Sequence, residues 1–223
     1  MLVRARTPVS AAEGIVLDER LELRADRLLA GGQAVLREVD VAAGCGEVIG
    51  VAGPNGAGKS TLLRALAGLP CGQEVSREVP RPVGRCGVAL IGHDPALHPQ
   101  LTLAENLDLA VALAAGTRGS VPDALRRVGL QAAAGRPAGA CSAGMLRRAG
   151  LARAWACRPG LLLLDEPTAG LDGASRTLPA DLARETARAG GIVFVATHER
   201  QAFEAVAHRW LQVAGGRVRE ERP

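Results

Sequence analysis

The chain has 223 residues, 48% of them hydrophobic and 22% charged, with a formal net charge of +4. These values exclude a disordered or collagen-like chain, and the length suffices for one domain with a substantial core. Nucleic-acid binding is not expected despite the basic balance, because base stacking needs aromatic platforms and the chain has two Phe, two Trp and no Tyr.

The cysteine pattern and the first residues of the chain indicate the cellular compartment in which the protein is expected. The five cysteines form no C-x-x-C pair and show no metal-ligand spacing with histidine, which favours a reduced, cytoplasmic chain. No apolar run approaches the roughly 20 residues that span a bilayer. Residues 1–14, predicted as an N-terminal extension, lack the apolar centre of a signal peptide. Any membrane role therefore requires a partner chain.

The first part of the domain is predicted to contain strands and then a strand-turn-helix unit. Over residues 15–43 apolar and charged residues alternate, as in antiparallel strands with one solvent-exposed face. The pair Gly31-Gly32 predicts a turn. Residues 47–52 form a nearly continuous apolar run, typical of a central strand in a parallel sheet, and a helix is predicted over 59–69. Residues 71–87, rich in Gly, Pro and Arg, are predicted to form a surface excursion.

A helical insertion is predicted in the middle of the chain. Between Leu101 and about Ala134 the pattern of apolar residues turns helical. Thr102, with a glutamate three residues later, predicts the start of one helix, and Ser120, with a proline two residues later, predicts another.

The parallel sheet is predicted to include strands over 88–91, 161–164 and 191–196, with a helix over 175–189 between the last two. Alternating strands and helices of this length imply a parallel sheet that is covered by helices. The predicted fold class is therefore α/β.

One Gly-rich segment lies between a predicted strand and a predicted helix, where a phosphate-binding loop functions. The pattern G-x-x-x-x-G-K-[ST] is matched by Gly53, Pro54, Asn55, Gly56, Ala57, Gly58, Lys59 and Ser60, with Thr61 next in the helix. In such a loop backbone N–H groups converge on the phosphates, Lys59 contacts the outer phosphates and the hydroxyl of Ser60 is a ligand for Mg²⁺. Lys59 is also the only lysine of the chain. The pattern predicts binding of a nucleoside triphosphate, with ATP as the expected substrate.

Two adjacent acids follow the predicted strand over 161–164. Ligands bind at the carboxyl ends of the strands in such sheets, so Asp165 is a candidate Mg²⁺ ligand and Glu166 is a candidate for polarising the attacking water. The same pair could instead be the acidic N-terminus of a helix that begins near Ala169. In combination with the phosphate loop, the pair favours ATP hydrolysis.

The order of these motifs resembles that of the ABC-transporter ATPases. The segment Cys141-Ser142-Ala143-Gly144-Met145, here called the signature segment, stands upstream of the acids, where that family has its signature sequence. Residues 169–172 resemble the D-loop of the family, and His198 resembles its switch histidine. The likeness extends over residues 21–218.

The resemblance implies a fold. It is that of a P-loop NTPase with an ABC-type antiparallel β subdomain and an inserted helical subdomain. The ATP-binding domain would cover residues 15–218, and the helical subdomain would cover about 95–158.

The resemblance also implies a shared site. Two ATPase subunits, either identical or different, would hold two ATP molecules with Mg²⁺ head to tail. Ser142 and Gly144, with Ala143 between them, would meet the γ-phosphate bound by the other subunit, and a helix beginning just after Gly144 would offer its N–H groups to that anion. Asp172 would contribute to nucleotide binding, and Glu166 and His198 would be catalytic.

Several positions depart from the family pattern. His93 stands where a glutamine normally senses Mg²⁺ and the membrane partner. Ala143 replaces the second signature glycine, and Met145 replaces a polar residue. Ala30 or Leu29 falls where an aromatic side chain usually stacks on adenine.

The departures also resemble one branch of the family, the ATPase subunit of the cytochrome c maturation haem exporter. The residues that carry this likeness are Gly-His-x-Pro at 92–95, Ser-Ala-Gly before two arginines at 147–148, Ala-Arg-Ala-Trp at 152–155, and Gly-Gly-Ile-Val at 190–193 before Thr197-His198. The predicted function is to bind and hydrolyse ATP for haem export in c-type cytochrome assembly. The chain would lie on the cytoplasmic face of the membrane, bound to a transmembrane permease through residues 97–106.

Three other functions remain open at this point. The chain could serve a general exporter of a drug, lipid or glycan. It could be a soluble ABC protein acting on ribosomes or DNA, although such proteins usually carry two ATPase units or a long coiled-coil insert. A phosphate-loop kinase outside the family would not need the signature segment.

Overall fold

The computed structural model describes residues 20–71, 75–78, 87–114 and 119–221. The predicted extension, residues 1–14, and the first five residues of the predicted domain, 15–19, lie outside these ranges. Within the described ranges no helix is both long and apolar enough to cross a membrane.

The described residues form strands in two sheets. The strands are β1 (Arg20–Ala30), β2 (Gln33–Gly44), β3 (Val48–Ala52), β4 (Val75–Glu78), β5 (Val88–Ile91), β6 (Leu161–Asp165), β7 (Ile192–Ala196), β8 (Arg209–Ala214) and β9 (Arg217–Glu220). The first sheet has the order β2-β1-β4 and is antiparallel. The second has the order β5-β6-β7-β3-β8-β9, in which every pair is parallel except β8 with β9. The predicted α/β class is confirmed.

The α-helices of the described ranges are α1 (Lys59–Leu66), α2 (Leu103–Leu113), α3 (Val121–Arg127), α4 (Ala143–Cys157) and α5 (Leu178–Arg188). Both predicted helix starts in the insertion are confirmed. Thr102 caps α2 in a reciprocal capping box with Glu105, and the Ser120 hydroxyl accepts a hydrogen bond from the Asp123 N–H at the start of α3.

Four predicted elements differ from the structure. The first helix ends at Leu66 rather than 69. The helix predicted over 175–189 begins at Leu178, after a short 3₁₀ turn over Gly173–Ser175. Of the predicted surface excursion, residues 72–74 and 79–86 lie outside the described ranges, and the described part contains β4, a polar strand too short for its pairing to be read from periodicity. Residues near Ala169 form turns, so the acid pair does not begin a helix there.

The six-stranded sheet separates two hydrophobic cores. Along β6, Leu162 and Leu164 face helices α2 to α5, while Leu161 and Leu163 face α1 and the first sheet. Because both faces of the central strands are covered, β3, β6 and β7 are apolar at almost every position. Close packing also requires Gly50, since a Cβ there would lie 2.2 Å from the ring of Trp210 on the neighbouring strand β8.

A buried amide organises the loop before α2. The Nδ2 of Asn106 donates to the carbonyl oxygens of His98 (3.1 Å), Leu101 (3.1 Å) and Thr102 (2.9 Å). Its Oδ1 accepts from the N–H of His98 at 2.6 Å. Within the predicted partner-facing stretch, residues 97–106, these bonds tie the loop to the first turn of α2.

Candidate active site

An open cleft of about 820 Å³ lies at the carboxyl edge of the six-stranded sheet. The residues that line it define the phosphate cleft: Ala30, Val35, Gly53, Pro54, Asn55, Gly56, Gly58, Lys59, Ser60, Thr61, His93, Asp165, Glu166, Ala169 and His198. Segments that directly follow β3, β5, β6 and β7 thus meet in one place, as expected for parallel strands. Of the predicted loop, Ala57 does not line the cleft, and its N–H donates to the carbonyl of Pro54 at 3.2 Å.

The phosphate loop requires glycine directly before α1. Gly58 has φ 108°, and a Cβ at this position would lie 2.8 Å from Val35 and 2.9 Å from Leu36 of β2. The loop can therefore pack closely on the first sheet. By helix geometry the first N–H groups of α1 lack intrahelical acceptors, and together with the helix dipole they favour an anion in the cleft.

Lys59 is buried, with 6% of its surface exposed, although it is an ammonium group. Its Nζ donates to the carbonyl oxygens of Gly53 at 2.8 Å and Pro54 at 3.3 Å. The same nitrogen lies 3.6 Å from Oε1 of Glu166, whose side chain is 14% exposed. A buried charge needs such partners, and here they hold the ammonium at the floor of the phosphate cleft.

Glu166 stands in an unusual backbone conformation at the end of β6. Its φ of 47° lies in the left-handed region, which is uncommon for a residue with a Cβ and is often found at functional sites. The Glu166 N–H donates to the carbonyl of Ala196 at 2.8 Å, which ties the turn to β7. On the side chain, Oε2 lies 2.8 Å from Nδ1 of His198 and accepts from the His198 N–H at 3.3 Å. The carboxylate is thus fixed between Lys59 and His198.

Ser60 and Asp165 provide a hydroxyl and a carboxylate on the same cleft. Such hard oxygen donors suit Mg²⁺, which is commonly bound by one or two protein oxygens together with substrate phosphates and water. In the described part of the chain no group of three or more His, Cys, Asp and Glu side chains could hold a metal ion by itself. The hydroxyl of Ser60 and the carboxylate of Asp165 fit a cation that also has oxygen ligands from outside the chain.

His93 lies on the cleft and contacts a second residue outside it. The side chain is exposed and follows β5 by two residues. Its Nδ1 lies 3.3 Å from Nη2 of Arg147, in the second turn of α4. Sequence reasoning noted the arginine pair after the signature segment only as part of a family likeness and assigned Arg147 no role.

The predicted residues Ser142, Ala143, Gly144 and Asp172 do not line the phosphate cleft of their own chain. Helix α4 begins at Ala143 with Ser142 as its N-cap, so the prediction that it begins just after Gly144 is wrong by two residues. The Ser142 hydroxyl accepts from the Met145 N–H at 3.3 Å. Serine is a favoured N-cap, which explains the earlier start.

Asp172 is exposed and caps the short 3₁₀ turn before α5. Its carboxylate accepts from the Ser175 N–H at 2.9 Å. The hydrogen bonds with Ser175 hold the pKa of Asp172 below its ordinary value, so the carboxylate is ionised at neutral pH. This residue therefore adds negative charge to the surface near the start of α4.

The first sheet forms one end of the phosphate cleft, and the side chains that line this end are aliphatic. Ala30 lines the cleft together with Val35 of β2, and no aromatic residue is among the described residues that line it. Both phenylalanines, Phe194 and Phe203, are fully buried in the cores.

Comparison with known proteins gives the family. The family model described as ABC transporter matches residues 36–169. The thiamine import ATP-binding protein ThiQ of Cereibacter sphaeroides is 39% identical over 215 residues, which cover 90% of this chain and 92% of the relative. The cytochrome c biogenesis ATP-binding export protein CcmA of Bradyrhizobium diazoefficiens is 39% identical over 193 residues, which cover 83% of this chain and 93% of the relative.

A solved structure shares the fold. It is described as an ATP binding subunit of an ABC transporter, with a TM-score of 0.79 and 27% identity, covering 90% of this chain and 89% of that one. A kinase outside the family is therefore excluded. Because the family model matches more than half of the chain and the relatives match most of it, the chain belongs to the ABC transporter family, as one of its ATPase subunits.

Proposed function

We propose that the phosphate cleft binds the triphosphate of ATP and that the chain uses the residues predicted from its sequence to hydrolyse it. The observation that carries the proposal is the convergence of Lys59, Glu166 and His198 in one cleft, with separations of 3.6 Å and 2.8 Å from the Glu166 carboxylate. In this proposal the loop over residues 53–58 surrounds the phosphates, Lys59 neutralises the outer ones, and Ser60 and Thr61 lie at the first turn of α1 beside them.

Hydrolysis needs a base beside the γ-phosphate. Glu166 accepts a proton from a water molecule as the water oxygen bonds to the γ-phosphorus and the bond to the bridging oxygen breaks. The electron pair of that bond stays on ADP, and inorganic phosphate leaves. His198 holds the carboxylate through its ring nitrogen and its backbone N–H, and Lys59 stabilises negative charge on the phosphates. The left-handed backbone of Glu166 aims the side chain into the cleft.

Ser60 and Asp165 are proposed to hold Mg²⁺ with the nucleotide. The cation supplies charge neutralisation on the phosphate oxygens when it is bound. The two residues contribute oxygen donors at the floor of the cleft, one from the start of α1 and one from the end of β6.

The second half of each site is proposed to come from another ATPase subunit. Ser142, Ala143 and Gly144 are exposed or half-exposed at the start of α4, and they do not reach the cleft of their own chain. The N–H groups of Ala143 and Gly144 begin this 15-residue helix and by helix geometry have no intrahelical acceptor, so an anion can bind there. A head-to-tail pair would place this helix start and Asp172 over the cleft of the partner. The ATP-binding domain is proposed to extend over 15–218, with the helical part over about 95–158.

We further propose that the chain acts with a transmembrane permease on the cytoplasmic face of the membrane, in haem export for c-type cytochrome assembly. The support is the likeness to CcmA together with the histidine at position 93. An importer subunit is a second candidate, because the thiamine import relative is equally identical over a longer stretch. Residues 97–106, held by Asn106, are proposed to touch the permease. Purification of the membrane complex distinguishes the two. A membrane partner that handles haem in c-type cytochrome assembly supports the first function, and a permease that imports thiamine or hemin overturns it.

The ATPase proposal is tested by Glu166→Gln. The amide cannot accept the proton of water, so we expect kcat for ATP to fall by roughly 10²- to 10³-fold while ATP affinity stays within about threefold. We also expect the variant to form a dimer with ATP, measured by size-exclusion chromatography with light scattering. A variant that turns over ATP at the wild-type rate would remove Glu166 from the mechanism, and a monomer at saturating ATP would contradict the shared site.

A further inference from the structure

We propose that Arg147 is a positioning residue that couples His93 in the phosphate cleft to the start of helix α4. The inference rests on the proposed function, since it assumes that the cleft hydrolyses ATP and that the signature segment serves a second subunit. Arg147 itself does not line the cleft. It would therefore act through the residues that it holds.

One side chain touches two parts of the candidate site. The Nη2 of Arg147 lies 3.3 Å from Nδ1 of His93. The same side chain packs against the backbone of Gly170, where a Cβ would lie 3.2 Å from Nε and 3.5 Å from Cδ of Arg147. Gly170 lies in the turn between the acid pair and Asp172, with φ 71°. The side chain thus spans from the turn after Glu166 to the cleft.

The start of helix α4 lies close to Arg147 and Gly170. A Cβ at Gly144 would lie 3.7 Å from the carbonyl oxygen of Gly170, so the signature segment lies beside the turn after the acids. Arg147 follows Ser142 by five residues and is half-buried. It also borders a small cavity together with Gly92, Pro95 and Pro167, which places its stem between the loop after β5 and the turn after β6.

Arginine suits this position because of its shape and charge. The guanidinium is planar, always protonated, and has five N–H donors, so it can lie flat on a glycine peptide and donate to an imidazole at the same time. Arginine can only donate, so a hydrogen bond in this contact would run from the guanidinium to Nδ1 of His93. Lysine could donate to the ring nitrogen, but it could not cover the Gly170 peptide.

The contacts lead to a specific kinetic expectation. A shift of the helix start relative to the phosphate cleft changes the distance from Arg147 to His93, so this pair links the position of His93 to the surface that meets the second subunit. The phosphate loop has no part in these contacts. We therefore expect loss of Arg147 to lower turnover rather than ATP affinity, because small misplacements far from the reacting atoms can cost up to about 10²-fold in rate.

The test compares Arg147→Ala with Arg148→Ala, using the full chain with its membrane partner. Arg148 is the neighbour on the same helix, and its Nη1 donates to the carbonyl of Val128 at 2.8 Å, away from the cleft. We expect Arg147→Ala to lower kcat by roughly 10- to 100-fold with KM for ATP unchanged within about twofold. Arg147→Lys is expected to recover part of kcat. Arg148→Ala is expected to keep kcat within about threefold of wild type.

A double-mutant cycle with His93→Ala distinguishes an energetic coupling between Arg147 and His93 from a general loss of protein stability. If the two residues act as one unit, the double variant loses no more kcat than the more severe single variant. Arg147→Gln, which keeps a planar donor, serves if Arg147→Ala does not fold, and it too is expected to lower kcat at constant KM. Multiplicative losses in the cycle, or wild-type kcat in folded Arg147→Ala and Arg147→Gln, would overturn the inference. If instead Glu166→Gln leaves hydrolysis unchanged, the proposed ATPase site itself fails, whatever Arg147 does.

Discussion

The phosphate cleft and the signature segment are built in different ways. In the cleft, Lys59 and Glu166 are buried or nearly so, and each has several polar partners within its own chain. In the signature segment, Ser142 and Ala143 are exposed, and the Ser142 hydroxyl is held by a bond to its own helix. The cleft is thus organised before any second subunit arrives. The signature segment is exposed or half-exposed, and in the proposed dimer it would bind the nucleotide held by a second subunit.

The largest expected effect is that of Lys59→Ala, which removes the only lysine from the floor of the cleft. Without the ammonium group, the triphosphate loses its main counter-charge in a buried position, and we expect ATP turnover to fall by at least about 10²-fold. ATP-dependent pairing is expected to disappear as well, because the nucleotide would form part of the interface. The measurements are phosphate release and light scattering with and without ATP. A dimer that persists with ATP would separate pairing from phosphate binding.

The second largest effect is expected for Ser142→Arg, which distinguishes the signature segment from the phosphate cleft. Ser142→Arg places a bulky cation on the signature segment without touching the cleft, so we expect ATP binding to a single subunit to stay within about threefold while turnover falls by roughly 10²-fold. Binding is measured by fluorescence with a labelled nucleotide, and pairing is measured in the Glu166→Gln background. If Ser142→Arg lowers the ATP affinity of a single subunit, Ser142 contributes to the phosphate cleft of its own chain, which contradicts the shared site.

Ser120→Arg is the matched control for Ser142→Arg. Ser120 also caps a helix, and its hydroxyl accepts from the Asp123 N–H at 3.3 Å, the same distance as between Ser142 and Met145. Each substitution therefore costs about 0.5–2 kcal/mol of helix capping. Only Ser142→Arg is expected to abolish pairing. Equal losses in both variants would assign the effect to capping alone.

The smallest expected effect lies outside both regions, at Glu47. Its carboxylate accepts from Arg209 Nε at 2.5 Å and from the Gly44 N–H at 2.8 Å. Burial opposes the charge, but the bonds to Arg209 and Gly44 outweigh it and lower the pKa of Glu47 below 4.5. Glu47→Gln is expected to cost about 1–2 kcal/mol of unfolding free energy at pH 7, with ATP binding and pairing unchanged.

The pH dependence of this effect has a defined sign. Since the folded pKa of Glu47 is the lower one, its contribution is present above the unfolded value, near 4.5, and is lost as the pH falls through the folded pKa. Urea unfolding at pH 7 and pH 3 measures it. The difference between wild type and Glu47→Gln is expected to shrink at the lower pH. A constant difference would mean that the ionised carboxylate is not the stabilising form.

The phosphate cleft was predictable because its residues are set by short-range patterns. Lys59 follows a strand and a glycine loop within ten residues, and Asp165 and Glu166 end an apolar strand, so local spacing indicated both segments. Parallel pairing of these strands then implied that the segments meet. The contact between Glu166 and His198 follows from the same rule, because β6 and β7 are neighbours in the sheet.

Other features were missed from the sequence for different reasons. The β8–β9 hairpin, which completes the sheet, is half-exposed and lacks a long apolar run. The contact of His93 with Arg147 joins residues 54 positions apart and leaves no periodic signal. Helix α4 begins earlier than predicted because the Ser142 hydroxyl supplies the cap, and since serine is a favoured N-cap, this start could have been predicted from the sequence. The predicted roles of the site residues stay predictions until variants are measured.

The most direct test mixes two inactive chains, Lys59→Ala and Ser142→Arg, with ATP. Consider a head-to-tail pair that contains one Lys59→Ala chain and one Ser142→Arg chain. One of its two ATP sites has both substitutions. The other site combines the intact Lys59 of one chain with the intact Ser142 of the other. We expect ATP hydrolysis to rise well above that of either variant alone, to at most about half of the wild-type rate, because each mixed pair of a two-fold dimer has one intact site of two. Mixtures that stay as inactive as the separate variants would contradict a site shared between two copies of this chain.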